Sequence, residues 1–86
     1  MPGGKLRIVW TDEARADVRS LDRDTAMRIF DGIGRYAMSG EGSVKILKGV
    51  YSGRSRLRLG DYRIFFREVS DVLRVIGVKH RREAYR

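Results

Sequence analysis

RSRLRLGDYRIFFREVSDVLRVIGV, residues 54–78, carries the pattern that decides the fold. Arg54, Arg56 and Arg58 alternate with Leu57 and Leu59, the period-two signature of a strand with one polar and one apolar face. Gly60-Asp61 suits a two-residue hairpin turn, the glycine supplying positive φ. Tyr62–Val69 reads as the second strand and Val72–Val78 as the third, joined through Ser70-Asp71. The third is apolar almost throughout, Arg74 excepted, as expected for a strand covered on both faces. The stretch is a three-stranded antiparallel meander.

Upstream, Lys5–Trp10 alternates Leu6, Ile8 and Trp10 with Lys5 and Arg7 and predicts one more strand. Thr11 follows as an N-cap, with Asp12 and Glu13 in the first turn, where the helix dipole favours negative charge. Ala14, Val18 and Leu21 then recur at helical spacing. Asp22 or Asp24 caps a second helix whose apolar face is Ala26, Ile29, Phe30, Ile33 and Ala37. Gly32 and Gly34 each cost this helix about 1 kcal/mol against Ala, so packing holds it or another element approaches closely. Ser39-Gly40-Glu41-Gly42 ends it, and strand signals resume from Val44. Pro2, Gly3 and Gly4 argue against regular structure at the N-terminus, and residues 81–86 read as a short basic tail. The expectation is an α+β domain spanning 1–86, with an N-terminal strand, a two-helix hairpin and the meander. Both helices pack on one sheet face.

The other face is then left to the arginines. The 86 residues hold 19 Lys and Arg against 11 Asp and Glu, a net charge of +8. Residues 1–53 carry nine basic and seven acidic side chains, a net of +2; residues 54–86 carry ten and four, a net of +6. A basic half on a small domain reads as a partner for a polyanion, most often nucleic acid. The chain has no cysteine and one histidine, which excludes a disulfide scaffold, a thiolate metal site and a cysteine nucleophile. No apolar run approaches the roughly 18 residues of a membrane span. The expected location is the cytoplasm, with no membrane partner.

Arginines on neighbouring strands stand about 5 Å apart at Cβ. An anion among them relieves their repulsion, and planar guanidinium groups match phosphate in pairs. Among the proton handlers, His80, Tyr85 and Lys79 are the candidates, since arginine holds its proton too firmly. No acidic cluster suggests a bound metal, and no cofactor is expected. Against this stand plainer roles: the arginine stripe as a solvated face, His80 as a structural hydrogen-bonder, Tyr85 as a packing residue, and Tyr62, Phe65, Phe66 and Trp10 as core.

The segments Leu47-Lys48-Gly49, Arg56-Leu57-Arg58-Leu59-Gly60-Asp61-Tyr62-Arg63-Ile64 and Lys79-His80-Arg81-Arg82-Glu83-Ala84-Tyr85-Arg86 together resemble the RelE branch of the RelE/ParE toxin superfamily. The resemblance implies two helices against a four-stranded, mainly antiparallel sheet. It implies a toxin of a type II toxin–antitoxin pair that cleaves mRNA in the ribosomal A site through attack of the 2′-hydroxyl. It also assigns roles: Arg54 and Arg56 match two basic residues, often lysine, of the second strand. Arg63 holds the scissile phosphate, Arg81, placed on the last strand, serves the leaving group, and Tyr85 orients or activates the 2′-hydroxyl. The implied catalytic set is Arg56, Arg63, Arg81 and Tyr85, with Arg54, Arg58, Lys79 and His80 binding RNA. A cognate antitoxin, the 70S ribosome and mRNA are the implied partners. Arginine in place of lysine at 54 and 56 keeps the charge but weakens any scheme in which those residues transfer protons. The alternatives are a ParE-like inhibitor of DNA gyrase and a non-catalytic RNA-binding toxin homologue.

Overall fold

A computed structural model describes residues 5–84, the Tyr51 side chain aside. The chain runs β1 (Arg7–Trp10), α1 (Asp12–Arg19), α2 (Arg23–Ser39), β2 (Ser43–Ile46), a 3-10 turn (Gly49–Tyr51), β3 (Ser55–Leu59), β4 (Tyr62–Val69), β5 (Val72–His80) and α3 (Arg81–Ala84). One mixed sheet has the order β1-β5-β4-β3-β2. β1 lies parallel to β5, and every other pairing is antiparallel. The expected α+β architecture is present, with β2 added beside the meander as an edge strand. Residues 81–84, expected as tail, form a helical turn. The N-terminal Pro2-Gly3-Gly4 lies outside the described residues.

Local signals explain the elements. Thr11 Oγ1 accepts from Ala14 N–H at 3.2 Å and caps α1. Asp22, not Asp24, caps α2: its carboxylate accepts from Thr25 N–H at 3.1 Å and from Thr25 Oγ1 at 2.6 Å. These bonds, the Thr25 hydroxyl first, hold the Asp22 carboxyl below its ordinary pKa. Gly40, at φ 79°, closes α2 in the left-handed conformation. The hairpin between β3 and β4 turns on Gly60 at φ 58°.

Leu57, Ile64, Phe66, Leu73, Val75 and Val78 form the sheet side of the core. Ala14 of α1 and Ile29, Ile33 and Ala37 of α2 close it. Trp10 is only partly buried and meets Phe30 edge-on at 5.3 Å. The unbroken apolarity of β5 has a second cause besides coverage on both faces. Phe65 pairs with Gly77 and Phe66 with Val75, so Ile76 is an extra residue that shifts the alternation by one. Core positions therefore run 73, 75, 78. Among the described residues no helix is long and apolar enough to cross a membrane.

The two helical glycines have different reasons. A Cβ on Gly32 would lie 2.5 and 2.6 Å from the Leu59 methyls, whereas one on Gly34 meets nothing within 4 Å. Gly34→Ala is expected to raise stability by about 0.5–1 kcal/mol through helix propensity alone. Gly32→Ala should forfeit that gain to displacement of Leu59, at about 1–3 kcal/mol. Urea unfolding of the two variants, with the midpoint rising for the first and not for the second, checks the assignment.

Candidate functional site

The sheet face turned away from the core carries two cross-strand rows. Arg56, Phe65 and Gly77 form one, and Arg58, Arg63 and Lys79 the next. Above the first row opens a cleft of about 450 Å³. Phe65 and Gly77 lie along its floor, Arg54, Arg56 and Leu47 line one side, and Lys79 and Glu13 the other. Glu83 and Ala84 of α3 close one end. Arg56 on β3 and Arg54 just ahead of it thus stand beside an aromatic ring on β4, an arrangement suited to a nucleotide's phosphate and base.

Lys79 is held by carboxylates of α1. β1 stops at Trp10, which would leave the outer edge of β5 unpaired beyond Val75. α1 covers that edge. Thr11 N–H donates to the Val75 carbonyl at 3.1 Å, Thr11 Oγ1 donates to the Ile76 carbonyl at 3.2 Å, and Asp17 Oδ2 accepts from Val78 N–H at 2.9 Å. Lys79 Nζ then lies 3.2 Å from Asp17 and 3.4 Å from Glu13 Oε2. Burial alone would lower the Lys79 pKa, but Asp17 and then Glu13 outweigh it and raise it. While Asp17 and Glu13 are ionised, the folded state therefore gains from this cation below the ordinary lysine pKa and loses the gain as pH rises through the raised one. Asp17→Ala removes both the ion pair and the acceptor of Val78 N–H, and is expected to cost about 1–3 kcal/mol. Asp17→Asn keeps an acceptor and should cost under about 1 kcal/mol. Chemical denaturation of both variants measures the difference; equal losses would remove the edge-capping role.

The remaining candidates divide. Arg63 is 7% exposed, and its Nη1 donates to the Gly60 carbonyl at 2.9 Å and the Tyr62 carbonyl at 3.0 Å, bracing its own hairpin. Arg58, its cross-strand partner, is exposed. β5 ends at His80, so Arg81 opens α3 instead of closing the last strand. Arg81 N–H donates to the Asp61 carbonyl at 2.7 Å, and its Nε lies 3.7 Å from the Asp61 carboxylate. Arg81 does not line the cleft. His80 accepts Arg82 N–H on Nδ1 at 3.2 Å while its own N–H donates to Glu83 Oε1 at 3.1 Å. That reciprocal pair fixes the start of α3 in the manner of a capping box, and the ring meets Tyr62 edge-on at 5.3 Å. Tyr85 lies outside the described residues; Ala84, its chain neighbour, lines the cleft.

Sequence reasoning missed Glu13, Phe65, Gly77 and Glu83 as cleft residues. Glu13 had an adequate explanation in the helix dipole, and Phe65 was grouped with Phe66 as packing. Their alternation was the available signal: Phe66 is fully buried, so Phe65 faces the other way. His80 and Glu83 at capping-box spacing were likewise legible. Among the described residues no three His, Asp or Glu side chains stand close enough to share a metal ion.

A family model described as the ParE toxin of the type II toxin–antitoxin system parDE matches residues 8–85. The fold is similar to that of a chain in the toxin–antitoxin complex RelBE2 of Mycobacterium tuberculosis, with TM-score 0.81, 20% identity and coverage of 90% of this chain and 99% of that one. The RelB–RelE antitoxin–toxin complex of Methanococcus jannaschii contains a chain with TM-score 0.74 and 22% identity, covering 90% of this chain and 94% of that one. The YoeB dimer of Staphylococcus aureus gives 0.69 and 18%, covering 90% and 98%. At these identities the likeness is one of fold. No curated protein matches the sequence itself.

Proposed function

The chain belongs to the ParE toxin family of type II toxin–antitoxin systems, within the RelE/ParE superfamily, and on that premise we propose that it is a ribosome-dependent mRNA interferase acting in the cytoplasm and neutralised by a cognate antitoxin. The observation that carries this reading is the cleft, in which Arg56 pairs across the sheet with Phe65 and Arg54, just ahead of β3, lines the same side. A polynucleotide offers the matching groups in the matching order, phosphate and then base.

The chemistry asked of the site is modest. The 2′-hydroxyl oxygen attacks the adjacent phosphorus, the bond from phosphorus to the 5′-oxygen breaks, and a 2′,3′-cyclic phosphate and a 5′-hydroxyl result. The nucleophile belongs to the substrate, so no bound metal is needed to make one. One proton leaves the 2′-hydroxyl and one reaches the departing oxygen. Arg56 and Arg54 offset the charge that grows on the phosphate oxygens. Tyr85, next to cleft-lining Ala84, is assigned the 2′-hydroxyl. Arg63 acts through the hairpin it braces, and Arg81 through the 61–81 contact that seats α3. Lys79, Arg58 and His80 border the RNA path.

The test is the product end. Cleavage on programmed ribosomes should leave a cyclic or 3′-phosphate and continue in a chelator that spares the ribosome. A 5′-phosphate end overturns the mechanism. The match to a family model that bears the ParE name favours one other reading, inhibition of DNA gyrase, which a supercoiling assay on the same preparation decides.

A further inference from the structure

The cleft contains two groups that phosphate binding does not explain. Glu13 opposes an anion, and Gly77 stands where any other residue would project a side chain. Gly77 needs no special backbone conformation: it is not among the positive-φ glycines, and an added Cβ would meet Asp17 Oδ2 and Glu13 Oε2 at 3.5 Å, an ordinary contact. The absent side chain lets Asp17, Glu13 and, at 3.6 Å, Lys79 Cε lie close against the strand, which sets the Glu13 carboxylate low in the cleft.

The lateral order across the sheet is Arg56, Phe65, Gly77, with Glu13 standing over the last. Neighbouring strands lie about 4.8 Å apart, so the step from arginine to carboxylate spans a nucleotide from its phosphate to the edge of its base. We infer that the cleft is a base-reading pocket: it takes a nucleotide with its phosphate at Arg54 and Arg56 and its base over Phe65, and it selects guanine through the Glu13 carboxylate.

The choice of base follows from hydrogen-bond inventory. A carboxylate only accepts, with about four lone-pair sites. Lys79 occupies part of that capacity at 3.4 Å. Guanine offers N1–H and the exocyclic N2–H side by side, matching two carboxylate oxygens at once. Adenine and cytosine place a ring acceptor beside their amino group, and uracil flanks its one N–H with two carbonyls. Each of these sets a lone pair against the carboxylate. Unstacked RNA bases are commonly read this way, by an aromatic face and a polar edge.

The inference deepens the RNA-cleaving reading and rests on it for the choice of ligand, yet its test needs no ribosome. The four nucleoside 3′-monophosphates are titrated into the full chain, and the amide resonances of Phe65 and Gly77 are followed. The guanosine nucleotide should bind about tenfold more tightly than the other three, the discrimination expected of one good paired contact. Inosine 3′-monophosphate, which lacks the exocyclic amine, should lose most of that advantage. Glu13→Gln should bring all four within about twofold of one another, with the thermal unfolding curve showing that the fold persists. If Glu13 serves only to hold Lys79, the substitution changes all four affinities alike and the preference survives. That result overturns the inference, as does equal or absent binding by the parent chain. A chain that prefers guanosine 3′-monophosphate but leaves ribosome-bound mRNA intact keeps the pocket and removes the nuclease reading. Cleavage without any preference in the isolated chain removes the pocket alone.

Discussion

Tyr85→Phe is expected to lower the single-turnover cleavage rate on programmed ribosomes by about 10²-fold or more. A phenol with a pKa of about 10 is a poor base at neutral pH, but cations near a phenol favour the phenolate and bring that value down. Arg54 and Arg56 line the same cleft as Ala84, the residue before Tyr85, and in the proposed mechanism they are those cations. The substitution keeps the ring and removes one oxygen, so ribosome affinity and thermal stability should stay near parental. The pH dependence gives a second readout: if the phenolate is the base, the parent rate rises with pH until the phenol is ionised, and the variant loses that rise. A Phe variant that cleaves at the parental rate takes Tyr85 out of the mechanism. The base would then have to come from elsewhere, and Glu83 and Glu13 are the carboxylates that line the cleft.

Most of the fold was legible because its signals are local. Alternation in residues 54–59, glycine at the hairpin tip and Thr11 and Asp22 ahead of apolar helical repeats each have a short-range cause, and all stand in the structure. β2 was harder to read. It has four residues, three of them exposed, so its sequence has little hydrophobic pattern to show. The bulge at Ile76 was invisible for a related reason. A strand with apolar residues at 75, 76 and 78 looks continuous whether or not its register slips.

The site was legible in its charges and not in its pairings. Composition revealed a cationic half, but sequence distance hides that Asp17 and Lys79 meet across 62 positions. Arg63 shows the same limit differently. An arginine following Tyr in a hairpin looks like a phosphate ligand, and only the folded turn reveals two backbone carbonyls taking its Nη1 hydrogens. A cation already satisfied within the protein contributes less to a polyanion than its formal charge suggests, because binding must first exchange the internal partner.

That distinction sets the expected salt dependence of ribosome binding. Counting Arg54, Arg56, Arg58, Arg63 and Lys79 as phosphate contacts, with a slope of about 0.7 per contact on single strands, a fourfold rise in salt would weaken binding roughly a hundredfold. Lys79 is engaged by Glu13 and Asp17, and Arg63 is buried against its own turn. Discounting those two alone, the same rise in salt should weaken binding about twentyfold. Replacing Arg54 and Arg56 together with Gln should reduce the slope of log affinity against log salt by about 1.4, leaving roughly a third of it. Asp17→Asn should move the slope the other way, since it releases Lys79 from its nearest carboxylate. Equilibrium binding to mRNA-programmed ribosomes across a salt series reads all three slopes. If the double variant keeps the parental slope, the cleft does not hold RNA phosphates, and the cationic face serves a protein partner such as gyrase instead.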